Sequence, residues 1–313
     1  MIPAPVGRER TSGDGCRRYM PLHYTFDTRN TLMDHEEEYG ASWEPDIRAQ
    51  WRQNLRQFTV ELIHEFGAAD FEAKFTDYRA LGAKPMSVVA LHNVFLAQIR
   101  TAFAAGAYYP ALVGASALGE RILNQLVVVL RNDYRGHPAT TDEIAGWRSF
   151  TKWGQCTDAL AGWGVLSDEL VDQFTRLGKL RHRAVHYNPG LDNTDARDPA
   201  IDAVRLIQDI IRELFPPFGG PPRFIEGTTG QSFLSSNAET QPLIRRFYLP
   251  ACVLVSPRYE MRPMRREDGR PWFDVYDDGD YQIRYPTLTD AEYADHCNDI
   301  ARFWPESTDG QSD

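Results

Sequence analysis

Residues 109–131 read YPALVGASALGERILNQLVVVLR, and this segment is apolar around most of a helical circumference. A helix with that pattern is buried on all sides, so the segment predicts the central helix of a bundle. Segments with apolar residues at helical spacing flank it on both sides. They predict helices over residues 43–67, 69–81, 85–106, 141–163 (one or two short helices), 167–188 with Ser167 as its cap, and 198–215 with Asp198 as its cap. We therefore expect a mainly α fold.

The character of the chain changes at residues 216–222, PPFGGPP, which indicates a linker or a rigid corner. β-type signals follow, with a buried strand at 251–256 and further strands at 259–264, 272–276 and 281–285. A last helix is expected over 290–304, and residues 1–20 are expected to be disordered. The expected organisation is a flexible, irregular N-terminal segment (1–42), a helical domain (43–215) and a small C-terminal α+β region (216–313).

Composition narrows the class of protein. The net charge is −10 and the pI is about 5.3, which excludes a globally basic protein that coats nucleic acid. The four cysteines lie far apart, which argues against a disulfide framework and favours a reducing cytoplasm. The first residues lack the apolar run of a signal peptide, and no stretch of about eighteen consecutive apolar residues occurs. We expect a cytoplasmic protein with no membrane segment and no cofactor.

The segment Leu177–Tyr187, LGKLRHRAVHY, carries the strongest chemical signal. At 100° per residue, Arg181 lies in the middle of an apolar stripe made of Leu170, Phe174, Leu177 and Ala184. A guanidinium is costly there unless it is paired. Three other basic residues of the helix face water: Arg176, Lys179 and Arg183. A buried arginine five residues before His186, where the helix stops, therefore indicates a site.

Arg181-His182-x-x-x-His186 resembles the signature of the HEPN (higher eukaryotes and prokaryotes nucleotide-binding) family, which is an arginine, a polar residue, a few residues and a histidine. The upstream segments around residues 108–113 and 117–123 agree with it, so the resemblance covers about residues 85–215. It implies an up-and-down bundle of four or five helices that is commonly dimeric, with the motif helices of two protomers forming one cleft. In active members that cleft cuts RNA without metal, in defence systems, toxin–antitoxin pairs and RNA processing.

The chemistry of these residues agrees with RNA cleavage. Histidine serves as base or acid near neutral pH, and arginine binds phosphate oxygens in a bidentate manner without losing its charge. We therefore expect His186 as base or acid, Arg181 on the phosphate and His182 as an orienting residue. Glu120 is expected to pair with Arg181. Basic residues Arg176, Lys179 and Arg183 are the candidate RNA-binding residues, and the expected partners are RNA, a second copy of the chain and an antitoxin or other regulatory protein.

Other interpretations compete with this one. Arg181 is a structural residue if it only forms a buried pair, and His186 is a plain helix cap if it only offsets the helix dipole. His182 and His186 are four residues apart and would share a metal if a third ligand lay nearby, but the sequence offers none, so no metal site is expected. Many HEPN proteins are non-catalytic RNA-binding or protein-interaction modules, and the same residues fit such a module.

Overall fold

The computed structural model describes residues 17–22, 29, 43–146, 152–186, 196–257, 259–265, 271–276 and 288–299. The chain forms two compact units. One comprises Thr25–Phe215, and the other comprises Met1–Tyr24 together with Pro216–Asp313. The expected N-terminal segment over residues 1–42 is divided between these two units, and its described residues 18–21 pair with residues 252–255 of the C-terminal region.

Helices make up the described part of the first unit, and the expected mainly α bundle is confirmed. The helices are α1 Pro45–Phe66, α2 Phe71–Ala80, α3 Ala90–Ala104, α4 Tyr108–Leu130, α5 Asp142–Ala145, α6 Trp153–Gly162, α7 Asp168–Val185 and α8 Arg197–Leu214. Each segment with helical periodicity forms a helix, and residues 141–163 hold two short ones, α5 and α6.

Helix α4 is the centre of this unit, as its apolar circumference predicts. It packs against α3, α6, α7 and α8, and its buried positions are leucine, isoleucine, valine and small residues. By length and composition alone α4 also meets the criteria of a membrane span, with a mean hydropathy of 1.3. No membrane segment is expected from the sequence, because charged and polar residues interrupt the apolar run. Half of that stretch is buried inside the domain, and the core helix of a soluble protein meets the same criteria.

The starts of α7 and α8 differ in how well the local capping residues predict them. Helix α7 begins as predicted, because the Ser167 hydroxyl caps it by accepting the Leu170 amide at 3.2 Å. Helix α8 begins at Arg197, two residues before the start that a cap at Asp198 predicts, and Asp198 lies in its first turn instead of capping it. The Arg197 guanidinium donates to Asp77 on α2 at 2.8 Å. The start of α8 thus coincides with a long-range ion pair that the sequence pattern does not reveal.

Helix α3 begins at Ala90, later than the predicted start near residue 85. The Asn93 side chain accepts the Ser87 amide at 3.0 Å and donates to the Ser87 carbonyl at 2.8 Å. These bonds occupy both backbone groups of Ser87, which lies before the helix. Side chains of this kind compete with helical backbone hydrogen bonds, and this explains the later start.

The second unit combines strands and short helices. Its elements are β1 Arg18–Pro21, α9 Ser236–Glu239, β2 Cys252–Val255, β3 Glu260–Arg265, β4 Pro271–Tyr276 and α10 Asp290–Asp299. Strand β1 pairs antiparallel with β2, and β3 pairs antiparallel with β4. The strands predicted at 251–256, 259–264 and 272–276 are thus confirmed. The predicted strand at 281–285 and the predicted helix beyond residue 299 lie outside the described residues.

The expectation that residues 1–20 are disordered is wrong at residues 18–20, which belong to β1. Arg18 is buried, with 1% of its side chain exposed, and its Nε donates to Asp290 at 3.0 Å. Another nitrogen of its guanidinium donates to the Leu288 carbonyl at 2.7 Å. These partners lie more than 200 residues away along the chain, so no local pattern predicts the strand.

Candidate functional site

Two glycines allow helix α7 to approach its neighbours closely. A Cβ at Gly119 on α4 would lie 2.5 Å from the Leu177 side chain, and a Cβ at Gly178 would lie 3.1 Å from the Trp153 ring on α6. The Trp153 indole also donates to the Phe174 carbonyl at 2.9 Å. Helix α7 is therefore fixed against α4 and α6 just before the position of Arg181.

This close packing brings Arg181 beside Glu120, as the sequence analysis expected. Guanidinium Nη2 of Arg181 lies 3.2 Å from both carboxylate oxygens of Glu120. The expectation that Arg181 is buried is wrong, because 33% of its side chain is exposed, against 18% for Glu120. Within the part of the chain that the structure describes, Glu120 is the only partner of Arg181. The other guanidinium nitrogens are therefore available to an anion from solvent.

His182 and His186 contact each other at the C-terminal end of α7. Their ring centroids are 4.5 Å apart, and both side chains are exposed. His186 ends the helix with an extended backbone, and its amide donates to the His182 carbonyl at 3.2 Å. The geometry thus places two exposed imidazoles beside each other at one end of α7.

The four catalytic candidates fall into two pairs. Arg181 contacts Glu120, and His182 contacts His186, but among the described residues no side-chain hydrogen bond, ion pair or ring contact joins one pair to the other. The described residues also contain no cluster of three or more histidine, cysteine or acidic side chains that would hold a metal. A metal shared by His182 and His186 would therefore need a third ligand from outside these residues.

The predicted RNA-binding residues form an exposed basic surface on α7. Arg176, Lys179 and Arg183 all face solvent. Among the described residues, only Arg176 of these three forms an ion pair, with 3.9 Å between its guanidinium and Asp172, and both of those side chains are more than half exposed. A pair of this kind contributes little to stability, so all three cations remain available to phosphate.

Tyr109 is a residue near this site that the sequence analysis did not select. Its side chain is 57% exposed, and its hydroxyl lies 3.4 Å from the Ala184 carbonyl in the last turn of α7. The ring therefore lies at the surface beside the end of the helix that carries Arg181 and the two histidines. An aromatic ring in the first turn of a core helix normally predicts burial, and only the tertiary structure brings it to the site.

Comparisons with known proteins identify no relative of this chain. No protein-family model matches the chain. No curated protein and no solved structure matches it either. The resemblance to HEPN proteins therefore rests on Arg181, His182 and His186 within their helical context.

Proposed function

We propose that this protein is a metal-independent endoribonuclease that acts in the cytoplasm as a homodimer, with Arg181 and His186 as its principal catalytic residues. The observation that carries the proposal is the state of Arg181. Its guanidinium is held by Glu120 through one nitrogen, at 3.2 Å, while 33% of the side chain is exposed to solvent and no other partner lies among the described residues. An arginine that is oriented by a carboxylate and still has free donors is well suited to bind a phosphodiester.

The reaction needs three groups from the protein: a base, an acid and a cation. A base removes the proton from the ribose 2′-OH, whose oxygen attacks the adjacent phosphorus and forms a new P–O bond. An acid donates a proton to the departing 5′ oxygen as the P–O5′ bond breaks. A cation stabilises the charge on the non-bridging oxygens. The products are a 2′,3′-cyclic phosphate and a 5′-hydroxyl, and DNA is not cut because it lacks the 2′-OH.

A dimer would provide both proton-transfer groups. One His186 is either neutral and a base or protonated and an acid, so one copy cannot serve both steps at once. Two copies of α7 that meet at their C-terminal ends would provide one histidine in each form. His182, in ring contact with His186 at 4.5 Å, would act as its positioning residue.

The exposed cations on α7 would bind the RNA on either side of the cut. Arg176, Lys179 and Arg183 lie on the water-facing side of the helix, and the protein as a whole carries a net charge of −10. Binding through three cations would weaken with salt, but only moderately, because the salt dependence of the affinity scales with the number of phosphates that are neutralised.

One observation favours a second candidate, a non-catalytic RNA-binding or protein-interaction module. The two histidines contact each other and not Arg181 within the described residues. In such a module Arg181 and the basic residues would bind RNA or a regulatory protein, an antitoxin among them, and His186 would only end the helix.

Cleavage of RNA by the purified protein in excess EDTA distinguishes the two. We expect the wild type to cut RNA and to leave 2′,3′-cyclic phosphate and 5′-hydroxyl ends, and the His186→Ala and Arg181→Ala variants to lose at least about 100-fold in rate. His64→Ala is a matched control, because His64 is an exposed histidine in the last turn of α1. Its rate should equal that of the wild type.

Three results would count against the nuclease. Cleavage that stops in EDTA would indicate a metal-dependent activity. Cleavage that persists in His186→Ala would indicate a contaminating enzyme. RNA binding without any cleavage, reduced by Arg181→Ala and unaffected by His186→Ala, would favour the module.

A further inference from the structure

A cavity between α3 and α4 is used neither by the proposed site nor by the core. It has a volume of about 420 Å³, within the range of about 300–1,000 Å³ that is usual for small-molecule sites. Its walls are mostly apolar, and its polar lining comes from Gln98 on α3 and Arg121 on α4. A cavity with a mainly apolar wall and a few polar groups is the usual form of a ligand site.

Small residues on both helices create this space. Ala102 on α3 and Gly114 and Ala117 on α4 line the cavity. A Cβ at Gly114 would lie 3.0 Å from the Ile99 side chain, so the two helices are already close at that point. Protein interiors are normally packed as densely as organic crystals, and atoms that line an empty gap lack contacts on one side. An apolar group that entered the cavity would supply those contacts.

Arg121 gives the cavity a positive charge. Its guanidinium carbon lies 5.4 Å from the centroid of the Phe95 ring, which also lines the cavity. No carboxylate among the described residues forms an ion pair with Arg121, although the chain carries ten more acidic than basic charges. The ring contact orients the guanidinium and leaves its N–H donors available.

We propose that this cavity binds a small aromatic anion, with the apolar ring between α3 and α4 and the anionic group on Arg121. Charge complementarity identifies the class of ligand, because the lining contains one cation and no acidic residue. A carboxylate or sulfonate accepts two hydrogen bonds from one guanidinium, and this pairing is stronger than a neutral hydrogen bond. The inference does not depend on the proposed cleavage of RNA.

Fluorescence titration of the full chain with two dyes tests the proposal. The dyes are 1-anilinonaphthalene-8-sulfonate and its uncharged counterpart N-phenyl-1-naphthylamine, which share the same aromatic body. We expect saturable binding of both, and Arg121→Gln should weaken the sulfonate about tenfold or more while leaving the neutral dye unchanged. Arg121→Lys keeps the charge and should keep most of the sulfonate affinity. Arg56→Gln is the control, because Arg56 is an exposed arginine on α1 outside the cavity.

Ala117→Leu places a larger side chain in the cavity lining and should weaken the binding of both dyes, while circular dichroism and the thermal transition stay as in the wild type. The proposal is overturned if the wild type binds neither dye, if Ala117→Leu binds both as before, or if Arg121→Gln binds the sulfonate with wild-type affinity. It is also overturned if dye binding disappears as the protein self-associates in sedimentation experiments, because a second copy would then cover the cavity.

Discussion

Arg18 and Arg181 are both paired with a carboxylate, but they differ in how many of their donors are used. The Arg18 guanidinium is 1% exposed, and it binds Asp290, the Leu288 carbonyl and the Arg17 carbonyl while lying 5.1 Å from the centroid of the Tyr293 ring. Arg181 is 33% exposed and contacts Glu120 alone among the described residues. A fully used guanidinium holds a fold together, whereas one with free donors remains able to bind a ligand.

The largest expected effect is on stability in the region of Arg18. Arg18→Ala leaves the Asp290 carboxylate without its cation and removes the contact with Tyr293, which should cost about 3 kcal/mol. Strand β1 should then separate from β2. Amide hydrogen exchange at Cys252–Val255 measures this, and we expect exchange to accelerate by about 100-fold. If the exchange rate did not change, Arg18 would contribute no more to stability than Arg181 does.

A similar contrast applies to histidine. His92 is 1% exposed, contacts Ser87 at 3.1 Å and packs against the Phe215 ring, whereas His182 and His186 are exposed. Burial and, to a lesser extent, the nearby Arg121 charge together lower the pKa of His92 to about 4. The folded protein therefore resists protonation at a pH where the unfolded chain accepts a proton.

The sign of the pH effect follows from that depressed pKa. Above pH 6.5 His92 is neutral in both the folded and the unfolded state, so it does not change the free energy of unfolding. Between pH 6.5 and pH 4 the unfolded state binds the proton and the folded state does not, which favours unfolding. The helical unit should lose about 3 kcal/mol over that interval, with no further loss from this residue at lower pH. Urea denaturation at several pH values measures it. A His92→Gln variant should lose less stability over the same interval. If its free energy of unfolding depended on pH as steeply as that of the wild type, His92 would not be the cause of the pH effect.

A moderate effect is expected where α4 and α7 approach each other. Gly119→Ala places a Cβ 2.5 Å from the Leu177 side chain, so it should destabilise the unit by about 1–3 kcal/mol. Because the two helices would move apart, Arg181 should also lose contact with Glu120. Gly154→Ala on α6 is the matched control, since nothing lies within 4 Å of its added Cβ, and it should stabilise the protein by up to about 1 kcal/mol. Chemical denaturation of both variants measures the two changes in the free energy of unfolding.

The smallest effect on stability is expected for Arg181 itself. Arg181→Ala should cost less than about 1 kcal/mol, because the pair with Glu120 is partly solvated and a freed Glu120 can be hydrated. The midpoint and slope of the urea transition measure it. A loss of about 3 kcal/mol would place Arg181 in the same class as Arg18 and would remove the main support for the proposed nuclease.

Much of the site could be predicted because it depends on local periodicity. The positions of Arg181 and Glu120 on apolar faces of two long helices predicted their contact, and the pair lies at 3.2 Å. The exposed fraction of the Arg181 side chain was not predictable, since it depends on where the neighbouring helices end. The contact between His182 and His186 and the position of Tyr109 also depend on the conformation at the helix end, which a 100° wheel does not describe.

The sequence by itself determined the mainly α class, the helices of the first unit, the cap at Ser167 and the strands after the proline-rich segment. These features follow from periodicity, capping and turn residues, which act over a few neighbouring positions. Only the tertiary structure decided that residues 18–21 form a strand, that α8 starts at Arg197 and that Arg181 keeps free donors. Each of these depends on a partner far away in the chain, and the strength of a polar contact depends on how completely the folded protein excludes water from it.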